Sequence, residues 1–266
     1  MILKRRVALG GVQLDELDSR IIISGLDEAA GRDTITAVAN AEGFGQRITG
    51  QRRDTLDVTV KFQMAIKNGD MEARSELLDL VNGWASAGGW LTVGHRPGKR
   101  LLVVLAQAPG GGDMFNWANE FTIVFRAYSV PFWADREETT AVGKVTASGS
   151  MAIDVPGNTD TVAGFVIENK SGAKIDKVTI NAGGSKMTFT GLAMLGNEIL
   201  TIDHVQKQDV FYLRAKVATA SGGNERSVLY NRSGADDFYV KPGAVQVNYS
   251  ADRAIQPTVS VRGRYL

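Results

Sequence analysis

The run of residues 120–133, EFTIVFRAYSVPFW, most constrains how this chain folds. In an extended conformation one side of the run carries Phe121, Ile123, Phe125 and Ala127, and the other carries Thr122, Val124, Arg126 and Tyr128. This alternation is typical of a strand with one buried face. Because Pro131 has no N–H to donate, the strand is expected to end there. We interpret the run as the last strand of a domain, closed by Phe132 and Trp133 and followed by a linker.

Length and composition suit either one large globular domain or two of ordinary size. The chain has 266 residues, of which 44% are hydrophobic and 22% are charged, a balance typical of globular proteins. A formal net charge of +1 provides no overall attraction to nucleic acid or to an anionic membrane. Cysteine is absent, which excludes disulfides, thiolate zinc sites and cysteine nucleophiles.

Neither a signal peptide nor a membrane span is expected. The chain begins MILKRR and then becomes glycine-rich and polar, without the apolar stretch that a signal peptide needs. The longest apolar run, residues 101–106, is too short to cross a bilayer. The sequence therefore predicts a soluble protein, and the lack of cysteine fits assembly in a reducing cytoplasm.

The first half predicts an α+β domain built from short strands. Strands are expected at residues 20–24, 55–65, 90–93, 101–105 and 120–128, with a glycine-rich loop at residues 108–113. The triplet Ile21-Ile22-Ile23 predicts a strand that is covered on both faces.

One helix is expected between residues 70 and 88. Asp70 is the predicted N-cap, and the pair Gly88-Gly89 is the predicted stop. Apolar residues recur at spacings of three and four, and they form the stripe Ala73, Leu77, Leu80, Val81 and Trp84. Three charged residues are expected on the outer surface of the helix: Arg74, Glu76 and Asp79. The helix is expected to pack against a sheet and cover one side of it.

The second half predicts an all-β domain. Candidate strands are residues 152–155, 164–169, 177–182, 186–190, 198–203, 210–217, 227–230, 238–240, 244–249 and 258–262. Turn pairs such as Gly183-Gly184 and Pro242-Gly243 separate several of them. About ten short strands at this spacing favour a sandwich or jelly roll.

Motifs of the common catalytic and metal sites are missing. His95 lies in the segment GHRPGKR, residues 94–100, which lacks the spacing of a phosphate-binding loop and is interpreted as a basic hairpin turn. His204 is expected to end a strand, and with no second histidine nearby and no cysteine it does not predict a metal site. No G-x-S-x-G turn occurs. The neighbouring acids at 15–16, 137–138 and 236–237 are interpreted as solvated turns, so we expect no enzyme activity, no catalytic residue and no cofactor.

The basic residues could form charged protein contacts or bind nucleic acid, and the aromatic residues bear on whether the second half binds sugars. The basic clusters are Lys4-Arg5-Arg6, Arg47 with Arg52-Arg53, and Arg96 with Lys99-Arg100. They suit solvated faces or half of a charged protein contact better than nucleic-acid binding, because the net charge is near zero. All four tryptophans, Trp84, Trp90, Trp117 and Trp133, lie in the first half or at its exit. Their absence from the second half weakens a sugar-binding interpretation but leaves tyrosine platforms available.

Two segments together resemble the distal tail proteins of long-tailed, non-contractile bacteriophages and their prophages. The first is the strand FTIVFRAY followed by a Pro-Phe-Trp stop, which closes the first half. The second is GNEILTID at residues 196–203, followed by VKPG at residues 240–243. Val130 stands where the family pattern has an acidic residue before the proline–aromatic pair.

The resemblance implies a mainly β fold with two domains. Residues 1–138 would be a β-rich α+β hub domain with one helix, and residues 139–266 would be a galectin-like β-sandwich, or jelly roll. The hub domain would form a ring, usually a hexamer, that connects the tail tube to tail-associated lysin, fibre or receptor-binding proteins at the baseplate. The protein would lie at the tail tip of the virion after assembly in the bacterial host cytoplasm, with no cofactor, nucleic acid or membrane as a direct partner.

Two alternative functions are kept open. The second domain could serve as a galectin-like carbohydrate-binding adhesin that uses an exposed tyrosine such as Tyr212 or Tyr239. A glycoside hydrolase inside the sandwich is the third hypothesis. Binding to glycans that depends on one of these tyrosines would favour the adhesin, whereas turnover of cell-wall polysaccharide would favour the hydrolase.

Overall fold

The computed structural model describes residues 6–29, 32–39, 46–67, 69–109, 120–207 and 210–266. The chain folds as two units, Met1–Trp133 and Ala134–Leu266. Within the described residues the first unit combines one α-helix with antiparallel strands. The second unit is built mainly from strands, which pack in two layers. The predicted fold class, mainly β with an α+β first half, is confirmed. No helix in the described ranges has the length and apolar character needed to span a membrane.

The elements of the first unit follow one another in this order: β1 (Val7–Leu9), β2 (Val12–Gln13), β3 (Ile21–Glu28), β4 (Arg32–Ala39), β5 (Gln46–Met64), α1 (Met71–Ser86), β6 (Gly89–Val93), β7 (Lys99–Gln107) and β8 (Glu120–Ala127). A 3-10 turn, Leu14–Glu16, follows β2. The sheet runs β2-β1-β6-β7-β8-β5-β3, and β4 pairs with β5. Strands β2 and β3 therefore lie at opposite edges of this sheet.

Strand β8 has the buried face that its sequence predicts. Phe121, Ile123, Phe125 and Ala127 are all buried. On the other face Arg126 forms a two-point ion pair with Asp57 of β5, with Nε–Oδ1 and Nη2–Oδ2 distances of 2.6 and 2.7 Å. Residues 126 and 57 are direct partners in the β5–β8 register, so the ion pair fastens the two central strands together.

Helix α1 begins and ends where its sequence predicts. The Asp70 carboxylate accepts a hydrogen bond from the Ala73 N–H at 3.1 Å, as an N-cap should. Gly88 has φ of +60°, a conformation that only glycine adopts without strain. The helix packs on β8 through Trp84, whose ring meets the Phe125 ring edge-on at 5.7 Å.

Three expectations about side-chain exposure in the first unit are wrong. Arg74 is buried rather than on the outer surface, because its guanidinium lies over the Phe121 ring at 4.9 Å. Leu80 is 41% exposed although it belongs to the apolar stripe. Ile22 is also exposed, because it projects to the face of β3 opposite to Ile21 and Ile23, whose partners Met64 and Phe62 are buried.

The second unit contains these elements: β9 (Trp133–Asp135, which begins at the last residue of the first unit), β10 (Thr139–Val142), β11 (Thr146–Val155), β12 (Thr161–Asn169), β13 (Ile175–Ala182), β14 (Ser185–Met194), β15 (Glu198–Lys207), β16 (Val210–Thr219), β17 (Arg226–Ser227), β18 (Arg232–Gly234), β19 (Tyr239–Val240), β20 (Gly243–Val261) and β21 (Arg264–Tyr265). A 3-10 turn, Leu229–Asn231, lies between β17 and β18.

Strand β20 connects two layers of the second unit. Its first part pairs with β11 and β13, and its last part pairs with β10 and β12. Between these parts the register shifts, because Ser250 and Ile255 of β20 face Ser148 and Thr146 of β11. Extra residues of this kind bend a strand and let it pass from one layer to another.

One hydrophobic core lies between the two layers. It combines Val178, Ile180, Met187 and Phe189 of β13 and β14 with Phe165, Ile167, Leu200 and Ile202 of β12 and β15. Because these side chains form a single cluster, the two layers face each other, as the sandwich predicted from the sequence requires. The ring of Phe238 packs against the Phe165 ring with a centroid distance of 4.7 Å.

Some of the predicted strand boundaries in the second unit are wrong. Residues 244–249 and 258–262 were expected to be separate strands, but both belong to β20. Residues 251–254, Ala-Asp-Arg-Ala, make the bend described above, and they interrupt the alternation of apolar and polar residues that predicts a strand. Residues 227–230 were expected to be a strand, but only Arg226–Ser227 is extended and the 3-10 turn follows.

Candidate assembly surface

Strands β4 and β5 form a two-stranded ribbon beyond the sheet of the first unit. From Leu56 to Gln63, β5 pairs with β8, and from Val58 to Met64 it pairs with β3. Residues 46–55 pair with β4 alone among the described strands. A two-stranded ribbon has no core of its own and is stable in water only when another surface covers it. The ribbon is therefore a candidate interaction surface.

The ribbon has an apolar face. Ala37 is paired with Ile48, and Ile35 lies two residues before Ala37, so all three side chains project to the same side. Ile35 is 55% exposed and Ile48 is 61% exposed. Val38 projects to the opposite side and is equally exposed, at 56%. Exposed aliphatic side chains that follow one another along a strand pair are typical of a contact surface.

An apolar groove lies at the other edge of the sheet. Its volume is about 550 Å³, and its lining includes Leu9, Val12, Leu17, Leu80 and Trp84. The Trp84 indole N–H donates a hydrogen bond to the Val12 carbonyl at 3.0 Å, which fixes α1 against edge strand β2. The tight turn between β1 and β2 depends on Gly10 and Gly11, whose φ values are +60° and +92°.

The surface of α1 beside this groove is acidic. Glu72, Glu76 and Asp79 are all exposed, and Asp79 is part of the groove lining. The only basic residue in the helix sequence, Arg74, is buried against Phe121. The groove therefore combines an apolar floor with one acidic lining residue, Asp79.

The basic residues of the β6–β7 turn are occupied by partners within the first unit. Arg96 binds Glu28 through Nε and Nη2, with distances of 2.9 and 2.8 Å to Oε2, and its guanidinium lies 5.2 Å from the centroid of the Trp133 ring. The Arg100 guanidinium lies 3.9 Å above the Trp90 ring. These contacts support the prediction of a basic hairpin turn. Lys4 and Arg5 of the first basic cluster lie outside the described residues, as does Trp117.

Arginines of the second basic cluster belong to the ribbon. Arg47, Arg52 and Arg53 lie on β5, and Arg32 lies on β4. The same two strand segments contain two acids, Asp33 and Asp54. The amino-acid composition of these two strand segments is therefore basic.

The two histidines are both held by acids. His95 contacts Glu28 through Nε2. The expectation that His204 ends a strand is wrong, since it lies inside β15 and its Nε2 is 2.8 Å from Asp237 Oδ2. Asp237 is therefore more than a solvated turn residue, although its neighbour Asp236 is exposed as expected. No three His, Asp or Glu side chains come together as a metal site in the part of the chain that the structure describes.

Polar pairs in the second unit organise its strands. Glu198 is almost fully buried, with 5% of its side chain exposed, and it binds Arg226 with Nη1–Oε1 and Nη2–Oε2 distances of 2.5 and 2.9 Å. These hydrogen bonds hold the pKa of the Glu198 carboxyl below its usual value. Arg214 and Asp203 form a similar two-point pair, at 2.8 and 2.5 Å, across β15 and β16.

Tyr212 lies beside the Asp203–Arg214 pair. It is two residues from Arg214 on β16, so both side chains project from the same face of the sheet, and its ring is 53% exposed. Tyr239 is similarly exposed, and Tyr230 in the 3-10 turn is almost fully exposed. The tyrosine platforms that the sequence left available are therefore accessible to solvent.

The groove and the ribbon could not be read from the sequence as sites. Val12 and Trp84 come together only through the fold, and the ribbon strands read as a polar, glycine-punctuated stretch. The sequence signal for the ribbon was indirect. Residues 55–65 alternate with a period of two, which predicts a strand, and in the structure that strand extends N-terminally to a total length of 19 residues.

The fold and these surfaces define a class: a two-unit, mainly β protein in which an uncovered ribbon extends from the first sheet. No protein-family model matches the sequence, and no curated protein matches it. A solved structure does match: the fold is similar to that of the Dit protein of phage SPP1, described as a paradigm of the hub adsorption apparatus in phages that infect Gram-positive bacteria. The TM-score is 0.61 at 12% identity, and the match covers 98% of this chain and 99% of that chain.

Two structures of the phage p2 baseplate in its activated conformation, with Sr and with Ca, also match. Each has 6% identity and covers 97% of this chain, with 97% and 98% of the other chain and TM-scores of 0.49 and 0.48. The Dit-like fold expected from the sequence resemblance is thus confirmed by the SPP1 structure.

Proposed function

We propose that the protein is a structural hub of a bacteriophage tail tip. The single observation that carries this proposal is the match to the SPP1 Dit protein over nearly the whole length of both chains. An unrelated protein that shared only a common β-sandwich would match over one unit, whereas here both units are matched. The sequence features of residues 120–133 and 196–203 support the same family.

The proposed hub assembles into a ring. Residues 1–138 form the ring, for which six copies are expected, and residues 139–266 contact other tail components. The uncovered ribbon supports self-assembly, because its apolar face and free strand edges require a partner surface. A durable contact between neighbouring copies is expected to bury on the order of 1,000 Å² or more.

The proposed partners are other tail proteins. On one side the ring binds the tail tube protein, and on the other it binds tail-associated lysin, fibre or receptor-binding proteins. The protein acts at the tail tip of the virion and is assembled in the host cytoplasm. Its role is structural rather than enzymatic, and it uses no cofactor and binds neither nucleic acid nor membrane directly.

Labelling of intact phage particles tests this function. An antibody raised against the purified chain, visualised with gold in negative-stain images, is expected to decorate the end of the tail that lies away from the capsid. Label along the tail shaft or on the capsid would contradict the proposal. Unlabelled particles would also contradict it if their tails contain no other hub protein.

Carbohydrate binding by the second unit is the second candidate function. It is favoured by the exposed Tyr212 ring beside the Asp203–Arg214 pair, since an aromatic face next to planar hydrogen-bonding groups suits a sugar ring. Glycan-array binding that is lost in Tyr212→Ala would support it. Tyr230→Ala is the matched control, because Tyr230 is also exposed but lies in the 3-10 turn. An array without signal would remove this candidate.

A further inference from the structure

Strand β11 forms an edge of one layer of the second unit. It is ten residues long, and β20 is the only described strand that pairs with it. In an antiparallel pair every second residue directs its N–H and C=O away from the partner strand. The outer side of β11 therefore presents backbone donors and acceptors that no strand within the described ranges uses.

The sequence of β11 gives this edge little protection against pairing with another strand. Exposed edges are normally protected by short length, by charged residues or proline, or by a bulge that twists the strand away. Residues 146–155 contain no lysine, arginine, glutamate or proline, and their single charged residue is Asp154. The register of β11 shifts only between Thr146 and Ser148, so the edge is regular from Ser148 to Val155.

Other edges of the two units are protected. The edge strands β2, β10 and β18 have only two, four and three residues. The longer edge strand β3 has a register shift between Ile23 and Gly25 and contains Asp27 and Glu28. Edge strand β16 contains Arg214 and Lys216 and is partly covered by β17. Strand β11 differs from all of these edges, because it is both long and nearly uncharged.

The two faces of β11 specify which side chains fit beside it. Met151, Ile153 and Val155 are buried in the core, whereas Ser148 and Ser150 are exposed on the opposite face. A strand that continues this layer therefore places apolar residues on the core side and small polar residues on the outer side.

Strand β20 shows the same alternation on the edge of β11 that is already paired. Val247 and Tyr249 are buried on the core side, and Gln246 and Asn248 are exposed on the outer side. The outer face of the layer also has a row of hydroxyl side chains in direct register across five strands: Ser148, Ser250, Thr179, Thr188 and Ser233. Because this row is uncharged, backbone pairing and side-chain alternation are what this edge can recognise.

We propose that an extended segment of another tail protein adds to the second unit as a further strand beside β11. The inference rests on the proposed function at the tail tip, and it specifies the contact surface and the chemistry of the partner. The partner is a polypeptide in extended conformation, because a peptide backbone supplies donors and acceptors at the repeat of a strand edge. Its docking segment alternates apolar residues with small uncharged ones.

A different protein fits this edge better than a second copy. Antiparallel pairing of β11 with its own copy requires a twofold axis, whereas neighbours in a ring of six meet through heterologous contacts. Such a pair is therefore not one of the contacts that close the proposed ring. A segment of a protein already anchored in the tail also binds at a high effective concentration, so a narrow contact along one strand edge is sufficient.

Hydrogen exchange of the backbone amides, measured by mass spectrometry on the purified chain and on intact tails, tests the inference. In the purified chain the outward amides of residues 146–155 are expected to exchange rapidly, because no strand covers them. In tails their exchange is expected to be slower by on the order of tenfold or more. Residues 161–169 of β12 are the internal control, since β15 and β20 flank this strand and its protection should be equal in both samples.

A lysine on the edge strand provides the matched variant. Ala152→Lys adds a charge to β11, which disfavours pairing with a further strand. Ala152 is exposed, so the variant is expected to fold like wild type, which circular dichroism and thermal unfolding will check. Gln246→Lys is the control, because Gln246 is exposed on the same face and pairs with Ala152 but lies on the interior strand β20. In tails, residues 146–155 should lose their protection in Ala152→Lys and keep it in Gln246→Lys.

The remaining outcomes overturn the inference or the function separately. If tails contain the chain but residues 146–155 exchange as fast as in the purified chain, strand addition is wrong while the hub function stands. Protection that is unchanged in Ala152→Lys tails would also overturn strand addition. Protection that appears in the purified chain at high concentration and disappears on dilution would assign the edge to a second copy instead. If intact tails do not contain the chain, the proposed function itself fails.

Discussion

Strands β5 and β20 are the same length, 19 residues each, but they have opposite surroundings. β20 has strands on both sides in its first part and again in its last part. β5 has strands on both sides only in its second half, and residues 46–55 have β4 alone. Ile255 of β20 is fully buried, whereas Ile48 of β5 is 61% exposed.

The comparison shows that strand length alone does not reveal what a strand does. A strand with partners on both edges and a buried face stabilises the unit that contains it. A strand half that extends past its sheet contributes little to its own unit and offers edges and side chains to another molecule. The same substitution in the two strands should therefore have different consequences.

The largest effect on stability is expected from Ile255→Ala in β20. Removing these buried methyl groups leaves a cavity between the layers and should lower the free energy of unfolding by about 3.5 kcal/mol. Far-UV circular dichroism in denaturant will measure the loss. All four tryptophans lie at or before residue 133, so the tryptophan fluorescence transition, which reports the first unit, should change much less. A loss below about 1 kcal/mol would show that β20 is not the central element of its unit.

The next largest effect is expected from Glu198→Ala, which removes the carboxylate partner of Arg226 and leaves only its hydrogen bonds to the Leu192 and Ala193 carbonyls. Because Glu198 is buried but Arg226 is partly exposed, the expected loss is about 2.5 kcal/mol, somewhat less than for a fully buried pair. Glu225→Ala is the matched control, since Glu225 pairs with Lys216 at an exposed site and should cost less than about 1 kcal/mol.

The contribution of Glu198 should depend on pH. Its pKa is lowered in the folded chain by the Arg226 hydrogen bonds, so its stabilising effect is fully present above the ordinary glutamate pKa of about 4.3. That effect is lost as the pH falls from there through the lower folded-state pKa. The difference in unfolding free energy between wild type and Glu198→Gln should therefore shrink in this acidic range. A difference that stays constant or grows would contradict the assigned ion pair.

A smaller effect is expected from Asp70→Ala at the start of α1. Loss of the hydrogen bond to the Ala73 N–H should cost about 1 kcal/mol, and the fluorescence transition of the tryptophans will report it. Glu72→Ala removes an exposed acid from the same helical turn without removing the cap, so it should cost clearly less. Equal losses would assign the effect to charge rather than to capping.

The smallest effect on stability is expected from Ile48→Ala in the ribbon. Because Ile48 is exposed, the free energy of unfolding of the monomer should change by less than about 0.5 kcal/mol. Self-association should nevertheless weaken, and a dilution series followed by mass photometry will measure the shift. A stability loss comparable to that of Ile255→Ala would show that the two strands do not differ in how much they stabilise their own units.

The sequence predicted those features that depend on local patterns. The buried face of β8 follows from alternation in residues 120–128, and the bounds of α1 follow from Asp70 and Gly88. These features need no knowledge of distant residues. The Dit-like fold was reached through a resemblance of short segments, which the structural match to SPP1 Dit then confirmed.

Features that depend on distant residues could not be predicted. The continuity of β20 is hidden because residues 251–254, Ala-Asp-Arg-Ala, interrupt the alternation of its side chains, although they remain part of the strand. Burial of Arg74 depends on the Phe121 ring, 47 residues further along the chain. The groove needs Val12 beside Trp84, a contact that no local pattern contains.

Mass photometry of the purified wild-type chain, alone and mixed with the proposed tail partners, tests the proposed ring. We expect a discrete particle of about 172 kDa, six copies of 28.6 kDa, that appears in negative-stain images as a ring with an open channel. A mass of 28.6 kDa at every concentration, both alone and with those partners, would contradict it.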